Sequence, residues 1–344
     1  MKTGVIILFV LITQLASAQK KFANYSSIDW NVLNIEASTP AELAQKLTSP
    51  YKTDIEKVRA IFSWIAQHIS YGHDQNTSTS RHSRNHNTIE EGESVDTTTA
   101  LIPLNELVAE DVLKKRIAFC YGYSRLFQCL CDDAGIPCEV INGYARGDSK
   151  RIGTNFRTNH SWNAVRLDSS WYLVDVTWAS GYFTYNSNEF VRHFDDQYFL
   201  TSPDQFALDH IPDDLRWSLL LQTPTLDEFR HSPYKGRCFV KYNIVSYWPS
   251  EGVIYVSIGD TVYFHIQTDL EPDRHIGGGS LDDSLVLAPL QNAVYCEPIN
   301  IDKNNTINYT YVVQTLSAQW VQLVYNGDMI LRYKLDIRNE REHN

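Results

Sequence analysis

Between residues 120 and 178 the apolar pattern switches from a helical period to alternation, and that switch constrains the fold more than any other feature. Tyr123, Phe127, Leu130 and Ala134 recur at helical spacing. Gly135 follows, where a helix end takes a left-handed residue. Residues 138–144 then alternate like a strand, and residues 160–167 and 171–178 read as a hairpin around Asp168-Ser169-Ser170. A helix packed on antiparallel strands predicts an α+β domain.

The flanking sequence extends this layout. Thr39-Pro40-Ala41-Glu42 places Thr at an N-cap, Pro at the first helical position and Glu at the third, and Thr53-Asp54-Ile55-Glu56 repeats the capping box. Ile55, Val58, Ile61, Phe62, Ile65 and Ile69 then keep helical spacing, so a core helix is expected to about residue 70. Residues 73–99 are almost free of apolar side chains and predict a polar surface insert. His73, His82 and His86 within it are read as solvated, because no helix or strand fixes their spacing for a metal. The chain turns helical again near residue 104, and residues 198–201 and 209–221 read as short packed elements. Residues 238–247, 252–258, 261–268, 283–288, 306–314, 319–325 and 329–336 are strand-like, with turn signals at Gly259-Asp260, Asn304-Asn305 and Asn326-Gly327-Asp328. They predict a β-sandwich after a boundary near Ser232-Pro233.

At 344 residues the chain is long enough for two domains. Hydrophobic residues at 43% and charged residues at 21% place it among globular proteins. Met1-Lys2, the apolar run from Val5 to Ile12 and Ala16-Ser17-Ala18 form an export signal too short to span a bilayer. The expected organisation is a signal peptide at 1–18, a leader and helix at 19–50, a catalytic-type domain at 51–232 and a sandwich at 233–344. No membrane segment is expected after signal removal. A formal charge of −11 argues against a nucleic-acid partner. Six cysteines in an exported chain of this length are too few for a disulfide scaffold, although Cys238 and Cys296 share one region and are open to pairing.

The chemistry centres on Cys120, at the expected start of the helix. There the dipole and free N–H groups favour a thiolate. His160 lies on the first strand of the hairpin and Asp175 on the second. A turn centred on Asp168-Ser169 pairs Leu167 with Ser170 and, by extension, Trp162 with Asp175, whereas a tighter turn at Ser169-Ser170 would move His160 and Asp175 two residues further apart. In the first register His160 lies diagonal to Asp175, about 7–8 Å away along the backbone and within side-chain reach. Thiol, imidazole and carboxylate are the parts of a nucleophilic cysteine site. The Cys120 N–H is one candidate oxyanion donor. Trp64, His68 or Tyr71 is open as the second, and Trp162 and Trp178 are candidates to line a cleft. Cys129, Cys131 and Cys138 sit mid-helix or in a strand, where nothing activates them.

These motifs resemble the transglutaminase-like superfamily, and within it the branch related to kyphoscoliosis peptidase. The likeness is carried by Ile61-Phe62-Ser63-Trp64-Ile65, Ile69-Ser70-Tyr71, Cys120-Tyr121-Gly122-Tyr123-Ser124, Ala134-Gly135-Ile136-Pro137 and Asn142-Gly143-Tyr144. It continues through His160-Ser161-Trp162-Asn163 and Trp171-Tyr172-Leu173-Val174-Asp175-Val176-Thr177-Trp178. Asp196-Gln197-Tyr198-Phe199-Leu200 and His210-Ile211-Pro212 extend it past the triad. It spans about residues 50–222 and implies a papain-like α+β core, a Cys120–His160–Asp175 triad and acyl transfer at peptide or glutamine amides. It implies no metal and no cofactor. Two positions depart from the family's usual pattern: Ala118 stands where glycine is usual, and Val176 where proline is usual.

The residues therefore predict an exported thiol enzyme with a protein or peptide substrate, acting as peptidase, deamidase or cross-linking acyltransferase. The alternative is a non-catalytic binding module on the same fold. In either case the sandwich is available for contact with a protein or glycan.

Overall fold

A computed structural model of the chain describes residues 24–72, 104–147, 149–183, 190–269 and 292–338. The expected signal segment, the polar insert with its three histidines and the strand expected at 283–288 lie outside the described residues. Two compact units organise the chain. One comprises residues 1–140, 161–183 and 188–201, and the other residues 141–160, 184–187 and 202–344. Two of the dividing points fall inside single strands.

The first unit opens with helices α1 (Ser26–Asn31), α2 (Pro40–Thr48) and α3 (Asp54–His68). Thr39 caps α2 by accepting the Glu42 N–H, and Thr53 and Glu56 form a complete capping box on α3. The face of α3 that carries Val58, Ile61, Phe62 and Ile65 is fully buried, as its spacing requires. Arg59 is buried on the same helix. Its guanidinium reaches both carboxylate oxygens of Asp29, at 2.7 and 2.6 Å, and also binds Asp196. One cation thereby ties α1 and the 194–199 segment to α3, and its charge is held firmly by the two acids despite burial.

The helix α3 stops at His68, because Ser70–Tyr71 turn extended as β1 and pair in parallel with β2 (Ile117–Ala118). Helix α4 (Leu104–Lys115) leads into β2, and α5 (Cys120–Asp133) follows directly. Tyr123, Phe127 and Leu130 are buried, and Gly135 sits at φ 73°. The Ile136 and Gly135 N–H groups close back on the Cys131 and Asp132 carbonyls, which makes a Schellman end. Strands β3 (Cys138–Ala145), β4 (His160–Leu167) and β5 (Ser170–Val174) follow. Asp168 and Ser169 both take positive φ, giving a two-residue turn that pairs Leu167 with Ser170, the expected register. The second strand of the hairpin ends at Val174 rather than 178, because the Asp175 side chain captures the next backbone N–H groups. Short strands β6 (Gly181–Phe183) and β7 (Phe190–Arg192) then pair with each other.

The second unit holds α6 (Pro203–Phe206) and β8 (His210–Pro212), which pairs with the end of β3 and completes a sheet of order β5-β4-β3-β8. Helix α7 (Leu226–His231) and β9 (Tyr234–Lys235) follow. Arg146, 1% exposed, donates to the Ser232 and Pro233 carbonyls and joins the chain after β3 to this segment. Residues 238–247 were expected as one strand. Instead Cys238–Lys241 form a helical turn, α8, and Asn243 at φ 45° redirects the chain into β10 (Ile244–Trp248). The turn is anchored where Lys241 and the Tyr242 hydroxyl both bind Asp328.

The strand-rich end has two sheets. Strands β10, β12 (Thr261–Thr268), β15 (Thr306–Val312) and β14 (Asn300–Ile301) form one, and β11 (Val253–Ser257), β17 (Asp328–Arg338), β16 (Trp320–Tyr325) and β13 (Ala293–Cys296) the other. Alternation along β12 buries Val262, Phe264 and Ile266. They pack with Val321, Leu323, Leu331 and Tyr333 of the facing sheet in one apolar cluster, with the Phe264 and Tyr333 rings 4.9 Å apart. All six cysteines are free thiols. Cys238 is hydrogen-bonded to Asp328 and does not pair with Cys296. Among the described residues no helix is long and apolar enough to cross a membrane.

Candidate active site

Cys120 begins α5, and the residue before it is what leaves that helix end open. Phe119 is extended, at φ −88° and ψ 173°, and offers no side-chain cap; no acid stands in the first turn. No side-chain cap therefore competes for the first N–H groups of α5, at the end where the half-buried Cys120 stands. The β1–β2 pairing brings Tyr71 opposite Ala118 and its hydroxyl into hydrogen-bond contact with Cys120. Burial first, then the neighbouring Cys120 and Asp175 charges, push the phenol up to about 12, so it stays protonated at neutral pH. The departure at Ala118 is accommodated by Gly122. A Cβ at Gly122 would meet Ala118 Cβ at 2.8 Å and Val112 Cγ2 at 3.0 Å, so this turn of α5 needs the glycine to sit against β2 and α4.

Asp175 is fully buried immediately after β5. Its Oδ1 accepts the N–H groups of Thr177 at 2.9 Å and Trp178 at 3.1 Å, and its own N–H donates to the Tyr198 carbonyl at 3.1 Å. The carboxylate is thus oriented by backbone and caps the short helical turn at Trp178–Ser180. Val176, the second departure, lies inside that capped turn and is buried. The hairpin register runs from Leu167 opposite Ser170 to Asn163 opposite Val174 and stops one pair short of the expected Trp162 and Asp175.

His160 is the first residue of β4 and is 6% exposed. Its ring lies 5.3 Å from that of His210, inclined at 48°. His210 is held by Asp209, Nδ1 to Oδ1 at 2.5 Å, and by Phe206, whose ring stacks on it at 4.2 Å. The sequence reading quoted His210 only as part of the resemblance and gave it no role. It stands on a three-residue strand with no periodicity to mark it.

The other candidates separate clearly. Trp64 is fully buried, donates its Nε1–H to the Ile35 carbonyl at 2.8 Å, and stacks on His68 at 4.5 Å. The two nitrogens of His68 face the Trp64 and Leu33 carbonyls. Both side chains are occupied in the core, which removes them as oxyanion donors. Trp162 is buried, while Trp178 is half-buried with its ring against Tyr198 at 5.6 Å. Of the proposed second donors, Tyr71 is the one at the thiol. Asn163, which sequence reasoning passed over, is fully buried and donates to the Ser124 and Glu139 carbonyls, locking β4 to α5 and β3. Three other thiols are held protonated: burial raises Cys129 to about 12 and Cys296 to about 11, and raises Cys138 as well.

Comparison with known proteins gives the following likenesses. Residues 102–176, which contain all three proposed triad members, match the transglutaminase-like superfamily. Kyphoscoliosis peptidase of Mus musculus is 33% identical over 215 residues, covering 62% of this chain and 29% of that protein, and the Homo sapiens protein matches to the same extent. This chain therefore spans less than a third of the length of these relatives. Among solved structures, the periplasmic domain of TgpA from Pseudomonas aeruginosa aligns at 18% identity with a TM-score of 0.27, covering 44% of this chain and 48% of that one. The chain carries a domain of the transglutaminase-like superfamily, on the branch that resembles kyphoscoliosis peptidase.

Proposed function

We propose that the protein is an exported thiol enzyme that acts on peptide or glutamine amides through Cys120, His160 and Asp175. The observation that carries this reading is that Cys120 is the first residue of a helix whose N-cap makes no side-chain hydrogen bond, while the β1–β2 pairing sets Tyr71 opposite Ala118, two residues before the thiol; burial and then the nearby Cys120 and Asp175 charges push that phenol up.

In the proposed reaction His160 takes the Cys120 proton and the sulfur attacks the amide carbon. The resulting oxyanion is held by the Cys120 N–H and the Tyr71 hydroxyl. Collapse expels the amine, which leaves with the proton from His160, and a thioester remains on Cys120. Water or a second amine, deprotonated by His160, then attacks the thioester and frees the thiol, so hydrolysis and transfer share one intermediate. Asp175, fixed by the Thr177 and Trp178 N–H groups, orients the imidazole and stabilises its charged form. The substrate is a protein or peptide. A second reading, a non-catalytic module of the same fold, draws on the Ala118 and Val176 departures.

Alkylation by iodoacetamide across pH tests the reading. Cys120 is expected to react well below pH 8. His160→Ala is expected to slow it about tenfold at pH 7, the gain open to a thiol brought from about 8.5 to below neutrality once its lower intrinsic nucleophilicity is counted. A Cys120 that reacts no faster than a free thiol, and equally in the His160 variant, points to the binding module instead.

A further inference from the structure

The outer face of the β10-β12-β15-β14 sheet is built differently from the sheet that faces it. None of its four strands, IVSYW, TVYFHIQT, TINYTYV and NI, contains an Asp, Glu, Lys or Arg. The chain as a whole is 21% charged. The opposing sheet shows the usual alternative: β17 alone brings Arg332, Lys334, Asp336 and Arg338 along one side of the strand. The neutral face therefore reflects its own sequence and not the strand environment in general.

Its side chains are ordered into rows. The pairing registers set Trp248 beside His265, His265 beside Asn308 and Asn308 beside Asn300, one row across all four strands. The Trp248 and His265 rings lie 5.8 Å apart. His265 Nδ1 pairs with Asn308 Oδ1 at 2.6 Å, and Asn308 Nδ2 donates to Asn300 Oδ1 at 2.8 Å. One row along, the Thr306 hydroxyl donates to Gln267 Oε1 at 3.0 Å. On the other side stands Tyr263, opposite Thr310. Trp248 is 55% and Tyr263 53% exposed. From the strand rise and spacing their backbones are about 8 Å apart.

We infer that this face is a binding platform for a neutral polysaccharide, with Trp248 and Tyr263 as the stacking rings. A sugar ring offers an apolar C–H face, which suits an exposed aromatic ring, and a rim of hydroxyls, which suits amides and hydroxyls already fixed by their neighbours. The charge pattern selects the ligand. With no cation on its strands the face has nothing to hold a uronate, sulfate or phosphate, and the net charge of −11 repels them. A partner protein is matched less well. An interface of that kind gathers apolar groups and arginine at its centre, whereas amides and hydroxyls fill the centre here. Strand addition is opposed as well, because the edge strand β10 carries a bulge between Ile244 and Ser246. The inference does not depend on the thiol chemistry.

Co-sedimentation of the full chain with insoluble cellulose, chitin and mannan tests it, with polygalacturonate as the anionic control. Binding is expected to at least one neutral polymer and to be unchanged between low salt and 1 M salt. Trp248→Ala and Tyr263→Ala are each expected to weaken it at least tenfold without shifting the Tm, and Trp248→Phe to retain most of it. Cys120→Ala is expected to bind like the parent protein, which separates this result from the enzyme reading. The inference is overturned if no neutral polymer retains the chain, if the alanine variants bind equally, or if polygalacturonate alone is bound. It is also overturned if the face instead drives a concentration-dependent dimer that Trp248→Ala abolishes.

Discussion

Helices α3 and α5 begin in opposite ways. At α3 the backbone is sealed: Thr53 accepts the Glu56 N–H and Glu56 returns to the Thr53 N–H at 3.1 Å. At α5 the cap position is Phe119, 52% exposed and without a side-chain hydrogen bond, and Cys120 comes next. The sealed end gives up its dipole to its own side chains and gains stability. The open end keeps its N–H groups and partial positive charge for whatever anion forms beside it. A third case lies between them. Asp175 accepts the Thr177 and Trp178 N–H groups at the turn Trp178–Ser180 with one oxygen. The chain thus closes the first-turn groups of α3 in a capping box, gives two N–H groups to a buried carboxylate at Asp175, and leaves the start of α5 without a side-chain cap.

The largest expected effect concerns the open end. In the native protein at pH 7, iodoacetamide is expected to label one thiol, and Cys120→Ala to abolish that label. The sign follows from the other thiols. Cys129, raised to about 12 chiefly by burial and then by Asp133 and Glu106, and Cys296, raised to about 11 by burial and Glu297, stay protonated until pH approaches those values. Peptide mapping of the labelled protein reads the site. Label on Cys129 or Cys296 at neutral pH would break the contrast between activated and inert thiols.

Next comes the intermediate case. Asp175→Ala strips the acceptor from two backbone N–H groups beside a fully buried position, and a loss of about 2–3 kcal/mol is expected in denaturant melts. Asp175→Asn keeps an acceptor oxygen, so most of that stability is expected to return while Cys120 alkylation stays slow. If Asn restores both, the carboxylate serves the turn alone.

At the sealed end Thr53→Ala is expected to cost about 1 kcal/mol, read as a lower urea midpoint with an unchanged slope. Its alkylation rate is expected to equal that of the parent protein. A change in thiol reactivity from a site that only caps α3 would show that the two helix ends are not independent.

Much of this was legible in the chain because the deciding signals are local. The Thr53–Glu56 box, the Gly135 helix end and the Asp168-Ser169 turn each lie within a few residues of the backbone they direct. A two-residue turn fixes the register of every pair above it, so Asn163 opposite Val174 followed from the turn alone. What was missed depends on partners distant in sequence. Cys238–Lys241 alternate well enough for a strand, but Asn243 and the anchor at Asp328, 87 residues from Lys241, make a helical turn. Residues 174–178 kept the look of a strand because the capture of two N–H groups by Asp175 leaves no periodic mark. His210 acquires neighbours only when β8 pairs with β3 and presents it beside His160. Trp64, His68 and Tyr71 were all open as donors, with Trp64 favoured as core packing, until the β1–β2 pairing and the Ile35 carbonyl separated them.

The smallest expected effect tests the comparison most directly. Phe119→Ser would place a hydroxyl acceptor at the N-cap of α5, where it can take the N–H of the second or third residue. The helix would gain a few tenths of a kcal/mol up to about 1 kcal/mol, because the missing cap is supplied. The edge contact of Phe119 with Tyr71, at 5.4 Å between ring centres, is lost and offsets part of that gain. Fewer N–H groups would then be left to stabilise sulfur, so alkylation of Cys120 is expected to slow severalfold while the melting temperature rises slightly. Opposite movement of the two readouts is the signature of an end kept open for chemistry. If stability and thiol reactivity rise together, the missing cap at Phe119 has no bearing on the thiolate, and the dipole argument for Cys120 fails at its source.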